Sequence, residues 1–117
     1  MQTSTTHCLR LRFPNGGRMT IVHPAEITRL EATSNYTRVY LQDHPPILMA
    51  KVLCAYDRLL RPYGFIRTHR SHLVNPRFVE SFNAPNVIRM RDSTLVDVSR
   101  SKKREVKNTF LKQVIHQ

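Results

Sequence analysis

The sequence predicts a mainly β domain of short strands, with one short helix near the middle of the chain and a second helix near its C-terminal end. Several segments alternate apolar and polar residues with the two-residue period of a strand. Gly, Pro, Asn and Asp, which favour turns, separate these segments. Only two segments have the three- and four-residue apolar spacing of a helix. With 117 residues, 40% of them apolar, the chain has room for one domain with a modest core.

The first half of the chain is predicted to contain five strands. Pro14-Asn15-Gly16-Gly17 predicts a hairpin turn, because Asn and Gly tolerate a positive φ. A second turn is predicted at residues 43–46, which contain two prolines. In the predicted strand at residues 36–42, Val39 and Leu41 should face the core, while Tyr36, Arg38 and Tyr40 lie on the opposite face. The predicted strands cover residues 9–13, 18–22, 27–32, 36–42 and 47–52.

The second half contains both predicted helices. Residues 53–60 form the first, with an apolar face made of Leu53, Tyr56, Leu59 and Leu60, and Pro62 and Gly64 end it. A strand is predicted at residues 78–82, a break at residues 83–86, and a hairpin at residues 87–98. Ser99 is the predicted N-cap of the C-terminal helix. The apolar stripe of that helix would consist of Val106, Phe110, Leu111, Val114 and Ile115.

Residues 65–76, FIRTHRSHLVNP, are the most informative segment of the chain. Between apolar ends they hold two arginines, two histidines, a serine and a threonine, with no acidic residue. Burying so many donors without acceptors would be costly. These side chains are therefore predicted to lie at the surface and to bind a partner rich in acceptors, such as phosphate oxygens or guanine edges. Leu73 and Val74 are assigned to the core, and Asn75-Pro76 to a structural turn.

The charge of the chain supports such a partner. Nineteen Lys and Arg against eight Asp and Glu give a formal charge of +11 and a pI near 10.7, typical of a nucleic-acid-binding domain. The same charge also suits an anionic membrane surface or a merely basic soluble protein. No segment has the ~18 consecutive apolar residues of a membrane span, and the N-terminus lacks the apolar run of a signal peptide. A cytoplasmic location without membrane contact is therefore expected.

Metal and cofactor sites are not expected. Cys8 and Cys54 are far apart in the sequence and lack a neighbouring cysteine, so buried or incidental free thiols are the simplest interpretation. His69 and His72 form an HxxH pair, but no third ligand lies near them in the sequence.

Four segments of the chain resemble the LytTR family, the DNA-binding domain of many bacterial transcriptional regulators. They are IxxLEATSNYTRVYL (27–41), the short helix that ends near GFIR, HRSHLVN (69–75) and VDVSRSKKREVK (96–107). Their order and spacing match the family from about Leu9 to Lys112. The resemblance implies a β fold of about ten strands, whose loops and strand ends at one edge enter successive major grooves of DNA. It implies a sequence-specific transcriptional regulator, such as a response regulator output domain, and no enzymatic activity.

The resemblance also bears on domain organisation. Residues 9–115 would form a single LytTR-like domain, preceded by a flexible lead of residues 1–8. Domains of this family usually follow a receiver or a membrane-embedded sensor, and this sequence contains neither. A stand-alone regulator and a domain excised from a longer protein both remain open. By analogy, two protomers would bind direct repeats in double-stranded DNA, with a possible homodimer forming on the DNA.

Three groups of residues are predicted to contact DNA, and the resemblance assigns base-reading roles to Arg70 and Arg100. Arg67 and Ser71 suit contacts to the sugar-phosphate backbone. His69 suits either a DNA contact or a structural hydrogen bond, and Tyr36 suits either a thymine contact or an ordinary strand position. The three groups are Asn35, Tyr36 and Arg38; Arg67, His69, Arg70 and Ser71; and Arg100, Ser101, Lys102 and Lys103.

Two other function classes are weighed against DNA binding. His69 and His72 could serve as the acid and base of a metal-independent nuclease, but no pair of carboxylates is expected near them. An RNA-binding or membrane-surface protein would also suit the charge. RNA-binding proteins expose aromatic residues that stack on bases. Most of the nine Phe and Tyr residues here follow core periodicity instead.

Overall fold

The computed structural model describes residues 9–12, 19–83 and 86–115, and the side chains of residues 21–82 and 86–110. The predicted flexible lead, the Pro14–Gly17 turn and the centre of the predicted break at 84–85 lie outside these residues, as do the side chains of Leu111, Val114 and Ile115. Ten strands and two helices occur within the described residues. They are β1 Leu9–Arg12, β2 Met19–Val22, β3 Ile27–Thr33, β4 Tyr36–Leu41, β5 His44–Met49, α1 Leu53–Leu60, β6 Ile66–His69, β7 His72–Val74, β8 Val79–Asn83, β9 Val87–Met90, β10 Leu95–Asp97 and α2 Lys103–Ile115.

The strands form three antiparallel sheets. The largest has five strands in the order β5-β4-β3-β7-β6, the second has the order β10-β9-β8, and β1 pairs with β2. The mainly β fold with a short central helix and a C-terminal helix is thereby confirmed. No helix within the described part of the chain is long and apolar enough to cross a membrane.

The five-stranded sheet packs against α1 on one face. Leu30, Val39, Ile47 and Leu73 from four of its strands are at most 2% exposed. They form one core with Leu53, Tyr56 and Leu60 of α1. Val39 lies in this core and Leu41 packs against it, while Tyr36 and Arg38 are exposed on the other face, as the alternation predicts.

A second core lies on the opposite face of β6 and β7. Ile66 and Val74 pack there with Ile88, Met90, Val96 and Val98, and with Val106 of α2. The two strands that carry the polar segment are therefore held between two apolar layers. Leu73 is buried in the first core and Val74 in the second, which confirms their assignment. The Asn75 side chain donates to the Ile27 carbonyl (2.9 Å) and accepts from the Arg77 amide (3.1 Å), so its role is structural.

The helix α1 has the predicted boundaries, but its buried face differs from the prediction. Leu53, Tyr56, Asp57 and Leu60 are buried, a spacing of three, four and seven residues that follows one side of a helix. Leu59 lies about 100° from its neighbour Leu60 and is 45% exposed. Its assignment to the apolar face was wrong, because Asp57 occupies that position. The helix passes into a short 3-10 turn and ends at Gly64, whose φ is +91°.

Two further boundaries differ from the prediction. The strand β5 already begins at His44, and the turn is confined to Gln42 and Asp43. Pro45 and Pro46 lie where the pairing register between β4 and β5 shifts. Proline is tolerated in an edge strand at such a bulge, because no ladder hydrogen bond is lost there. At the other boundary, Ser99 precedes a 3-10 turn, Arg100–Lys102, and its side chain caps no amide. The helix α2 begins only at Lys103.

The neighbouring leucines of α1 provide a matched test of this packing. We expect Leu60→Ala to lower the free energy of unfolding by about 2–5 kcal/mol, because it opens a cavity in the first core. Leu59→Ala should change it by less than about 0.5 kcal/mol. Denaturant unfolding of both variants measures the difference, and equal losses would contradict the helix orientation described above.

Candidate nucleic-acid interface

The tip of the polar segment is the turn between β6 and β7, which contains Arg70 and Ser71. The guanidinium of Arg67 binds the main chain of this turn. Its Nε donates to the His69 carbonyl (3.0 Å) and its Nη2 to the Arg70 carbonyl (2.7 Å). The Arg70 side chain is exposed. Its guanidinium makes no hydrogen bond or ion pair with another described residue, so it is available to an outside partner.

His69 makes the structural hydrogen bond that was one of its two possible roles. Its Nδ1 accepts from the Ser71 amide (3.1 Å) across the turn. Because Nδ1 is the acceptor, a neutral His69 ring carries its proton on Nε2, which is then a donor. The ring lies 5.5 Å from that of His72, centroid to centroid.

Thr68 connects this turn to the segment that follows β10. The side chain of Thr68 is fully buried, so the prediction that the polar side chains of this segment lie at the surface is wrong for this residue. Its Oγ1 donates to the Asp97 carbonyl (3.1 Å), and its own carbonyl accepts from the Ser99 amide (2.8 Å). Residues 99–102 therefore lie directly beside β6, and two segments about 30 residues apart in sequence become neighbours.

Two open clefts lie along the junction at Thr68, where β6 meets residues 99–102. The first, of about 520 Å³, is lined by the β6–β7 turn, residues 99–102 and one side chain of α1. The second, of about 860 Å³, lies at the start of α2 and contains four cations and no acidic residue. The clefts share Ser101. The first is lined by Asp57, Arg67, His69, Arg70, Ser99, Ser101 and Lys102, and the second by Arg100, Ser101, Lys103, Arg104, Lys107 and Asn108.

The cations of the second segment are mostly open to solvent. Arg100 and Lys103 are exposed. Lys102 approaches Glu105, with 3.9 Å between Nζ and Oε1, a distance at the limit of an ion pair that carries little energy at the surface. This segment thus presents positive charge beside Arg70 rather than neutralising it internally.

The third predicted group, Asn35, Tyr36 and Arg38, lies at the same end of the five-stranded sheet. The Ala32 amide donates to the Ser71 carbonyl (2.9 Å), which sets the β3–β4 turn beside the β6–β7 turn. All three side chains are exposed, and Tyr36 is 47% exposed. Tyr36 is therefore no core aromatic. None of the three residues lines either cleft. This group therefore lies beside the β6–β7 turn but outside the two clefts.

Asp57 is a residue of the site that the sequence did not reveal as functional. Its carboxylate Oδ2 accepts from Arg61 Nη2 (2.9 Å) and from Arg67 Nη1 (3.3 Å). Its Oδ1 is buried and has no hydrogen-bond partner among the described residues. The signal in the sequence was an acidic residue on the apolar side of α1, between Tyr56 and Leu60.

His72 follows the β6–β7 turn and lies near the carboxylates of Glu31 and Asp97, although no carboxylate was expected there from the sequence. Glu31 is its direct cross-strand partner on β3. Burial lowers the pKa of His72 below 6.5, and the charges of Glu31 and Asp97 partly oppose this effect while His69 and Arg29 add to it. Its Nδ1 is buried without a partner in the described part of the chain.

Metal-binding groups do not form at this site. In residues 9–12, 19–83 and 86–115, no group of three or more His, Cys, Asp and Glu could hold a metal ion. Cys54 is a free thiol, and it is exposed rather than buried.

Comparison with known proteins identifies one family and one fold. A family model described as the LytTr DNA-binding domain matches residues 17–111. Among solved structures, the chain is similar to the LytTr DNA-binding domain of a Bacillus cereus protein described as a methyl-accepting/DNA response regulator. The two chains share 22% sequence identity with a TM-score of 0.76, over 89% of this chain and 96% of the other. No curated protein matches the sequence at a significant level.

The connection made by Thr68 can be tested by replacing its hydroxyl with a methyl group. We expect Thr68→Val to lower the free energy of unfolding by about 1–3 kcal/mol, because the Asp97 carbonyl loses its buried donor. Amide exchange at Ser99 should accelerate as the junction loosens. Thr109→Val is the matched control, since it removes a similar bond within the exposed part of α2. Equal stability losses in the two variants would argue against a special role for Thr68.

The low pKa of His72 predicts a pH dependence of stability. Below pH 6.5 the unfolded chain binds a proton at this position more readily than the folded chain. The contribution of neutral His72 is therefore complete above pH 6.5, and it is lost as the pH falls toward the folded-state pKa. In His72→Gln, the loss of unfolding free energy between pH 7 and pH 5 should be smaller than in the wild type. Identical pH profiles would exclude this residue as the cause.

Proposed function

The chain belongs to the LytTR family of DNA-binding domains, and from this premise we propose that it is a sequence-specific transcriptional regulator that reads double-stranded DNA. The observation that carries the proposal is the junction at Thr68. It sets Arg70, whose guanidinium has no partner among the described residues, beside the cationic turn that contains Arg100. A domain that only needed positive charge could spread it over the whole surface. Here two arginines lie on adjacent turns that are connected by the hydrogen bonds of the buried Thr68.

Arg70 and Arg100 are the proposed base-reading residues. Both side chains are exposed, and neither guanidinium is committed to another described residue. An arginine in this state can donate two hydrogen bonds to O6 and N7 of a guanine in the major groove. The backbone of the Arg70 turn is fixed by Arg67 and by His69, which reduces the entropy that the turn loses when it binds DNA.

The remaining residues are proposed to contact the sugar-phosphate backbone. Ser101, Lys102 and Lys103 line the two clefts, and Ser71 lies in the β6–β7 turn. Small hydroxyls and ammonium groups suit phosphate oxygens. The Nε2 proton of His69 offers one more donor. Tyr36 and Arg38, with Asn35, would extend the contact along the sheet end. Four neighbouring strands, β4, β3, β7 and β6, separate Tyr36 from Arg70. They span roughly 14 Å at ~4.8 Å per strand, which exceeds the ~12 Å width of one major groove. Contacts beyond a single groove are therefore part of the proposal.

The assembly on DNA follows from the family rather than from contacts in the structure. We propose that residues 9–115 act as one domain and that two protomers occupy direct repeats, with a homodimer forming on the DNA. A receiver or sensor, in the same protein or in a partner, would supply the controlling signal. A nuclease role for His69 and His72 has less support, because Nδ1 of His69 is occupied by the Ser71 amide and that of His72 is buried.

The test begins with selection of bound duplexes from a random pool, which gives both the preferred site and the repeat spacing. On that site we expect Arg70→Ala and Arg100→Ala each to cost about 1–3 kcal/mol and to relax preference at one base position. Lys103→Ala should weaken binding to all duplexes alike and reduce the salt slope by about one unit. Titrations on selected and scrambled duplexes at several salt concentrations measure these effects.

Arg91→Ala is the matched control for loss of charge. Arg91 is an exposed arginine that lines a cleft with Asp43 and Asp92, and Asp43 lies at the opposite end of the five-stranded sheet from the β6–β7 turn. Its replacement should leave the preference for the selected site unchanged. Equal losses on selected and scrambled duplexes for both Arg70→Ala and Arg100→Ala would refute the base-reading roles.

A further inference from the structure

We propose that Arg67 and Asp57 are a positioning pair: they hold the β6–β7 turn in the conformation from which Arg70 reaches a base, and Arg67 acts through the turn rather than by contacting DNA. This inference rests on the proposed DNA-binding function. It assigns a role to a buried carboxylate of α1 that would otherwise lie unexplained beside a cationic cleft.

The geometry of Arg67 is that of a clamp. Each of its three guanidinium nitrogens donates to a different acceptor: Nε to the His69 carbonyl, Nη2 to the Arg70 carbonyl and Nη1 to Asp57 Oδ2. Two of these acceptors are successive carbonyls at the tip of the turn. The side chain is only 19% exposed, so a large part of it is removed from any surface that DNA could touch. The planar fork of an arginine can serve several acceptors at once, and a lysine ammonium cannot reproduce that arrangement.

Asp57 supplies the fixed point to which the clamp is attached. Its side chain is 10% exposed, and its helix is held in the first core by Tyr56 and Leu60, which are 3% and 0% exposed. A carboxylate buried to this degree needs cationic partners to offset its lost hydration. Arg67 is one, and the exposed Arg61 is the other. The turn is thereby connected through Arg67 to a rigid helix rather than to another loop.

Fixing the turn matters more for discrimination than for overall attraction. The attraction between cations and phosphates survives small displacements, because it depends weakly on geometry. A bidentate contact with a guanine edge requires correct distance and angle for two hydrogen bonds. Loss of the clamp should therefore reduce the preference for the selected site while leaving most non-specific binding intact.

Arg61 provides a close control for Arg67. Both arginines donate to the same carboxylate oxygen, at 2.9 and 3.3 Å, but only Arg67 also reaches the turn. Arg61→Gln and Arg67→Gln remove the same charge from the same partner. Arg67→Lys keeps the charge and removes the fork. Asp57→Asn keeps the shape of the side chain and removes its charge.

The first measurement needs no DNA. Amide exchange at Ser71 reports the turn directly, because this amide donates to His69 Nδ1. We expect exchange to accelerate about tenfold in Arg67→Gln, in Arg67→Lys and in Asp57→Asn, and to stay at the wild-type rate in Arg61→Gln. Wild-type exchange in both Arg67 variants would overturn the proposal. Because Arg67→Lys and Asp57→Asn are milder changes, they decide the question even if Arg67→Gln fails to fold.

The second measurement compares binding to the selected and scrambled duplexes at several salt concentrations. Arg67→Lys should lower the ratio of the two affinities about tenfold, in line with loss of one well-formed base contact, with an unchanged salt slope. Asp57→Asn should lower the same ratio while slightly raising affinity for the scrambled duplex, because a negative charge is removed from the site. Retention of the wild-type ratio by Arg67→Lys would show that Arg67 acts only as a charge.

The two measurements separate the inference from the function on which it rests. If the wild-type protein prefers no duplex, the proposed function fails, and Ser71 exchange still decides whether the clamp holds the turn. If the protein prefers a selected duplex and Ser71 exchange does not respond to Arg67, the function stands and the clamp is refuted.

Discussion

Thr68 is the residue on which the arrangement of the site depends. Its hydroxyl and its carbonyl bind two successive parts of the segment that leads from β10 toward α2. The flanking residue Ile66 is buried in the second core, so the strand that carries Thr68 is itself fixed. Through its side chain and its backbone, this one buried residue connects two turns that belong to different sheets. Together with the apolar contacts of the second core, these bonds give the turns that carry Arg70 and Arg100 a shared support.

The electrostatics of the site show a compromise between stability and binding. The second cleft collects four cations with no acidic residue among its lining, and Lys103 stands in the first turn of α2, where the helix dipole disfavours positive charge. Both features cost stability in the isolated protein, and a polyanion would relieve both. The one carboxylate in the first cleft is the buried Asp57, which two arginines already neutralise. The charge presented outward is thus almost entirely positive.

Local patterns in the sequence predicted the elements better than their contacts. The boundaries of α1, the inward side of β4 and the structural role of Asn75 follow from periodicity and turn chemistry, which act over a few residues. The exposure of Leu59 did not, because apolar spacing alone cannot tell which side of a helix meets a sheet. The prolines of β5 were misread as a turn, since their place at a bulge depends on the partner strand. The carboxylates around Arg67 and His72 were missed because these pairs join residues from different elements.

The predicted DNA contacts illustrate the same division. Charge and resemblance selected the segments around Tyr36, Arg70 and Arg100, and the fold sets these segments along one end of the sheet. From the sequence, Arg67 and Ser71 were expected to contact the sugar-phosphate backbone and Arg70 to read a base. The bonds of Arg67 to two carbonyls arise only once the turn is closed. A guanidinium that faces inward and one that faces outward look alike in a sequence.

The paired prolines of β5 have a consequence for self-association. As the outermost strand of the five-stranded sheet, β5 would ordinarily offer a ladder of main-chain groups to any passing chain. Pro45 and Pro46 lack amide protons, and the irregular pairing at their position twists the strand locally. A strand from another chain could not pair with β5 along its length without leaving main-chain hydrogen bonds unmade. The molecule is thereby protected against amyloid-like stacking on this side, and two copies of the domain are kept from joining their sheets here.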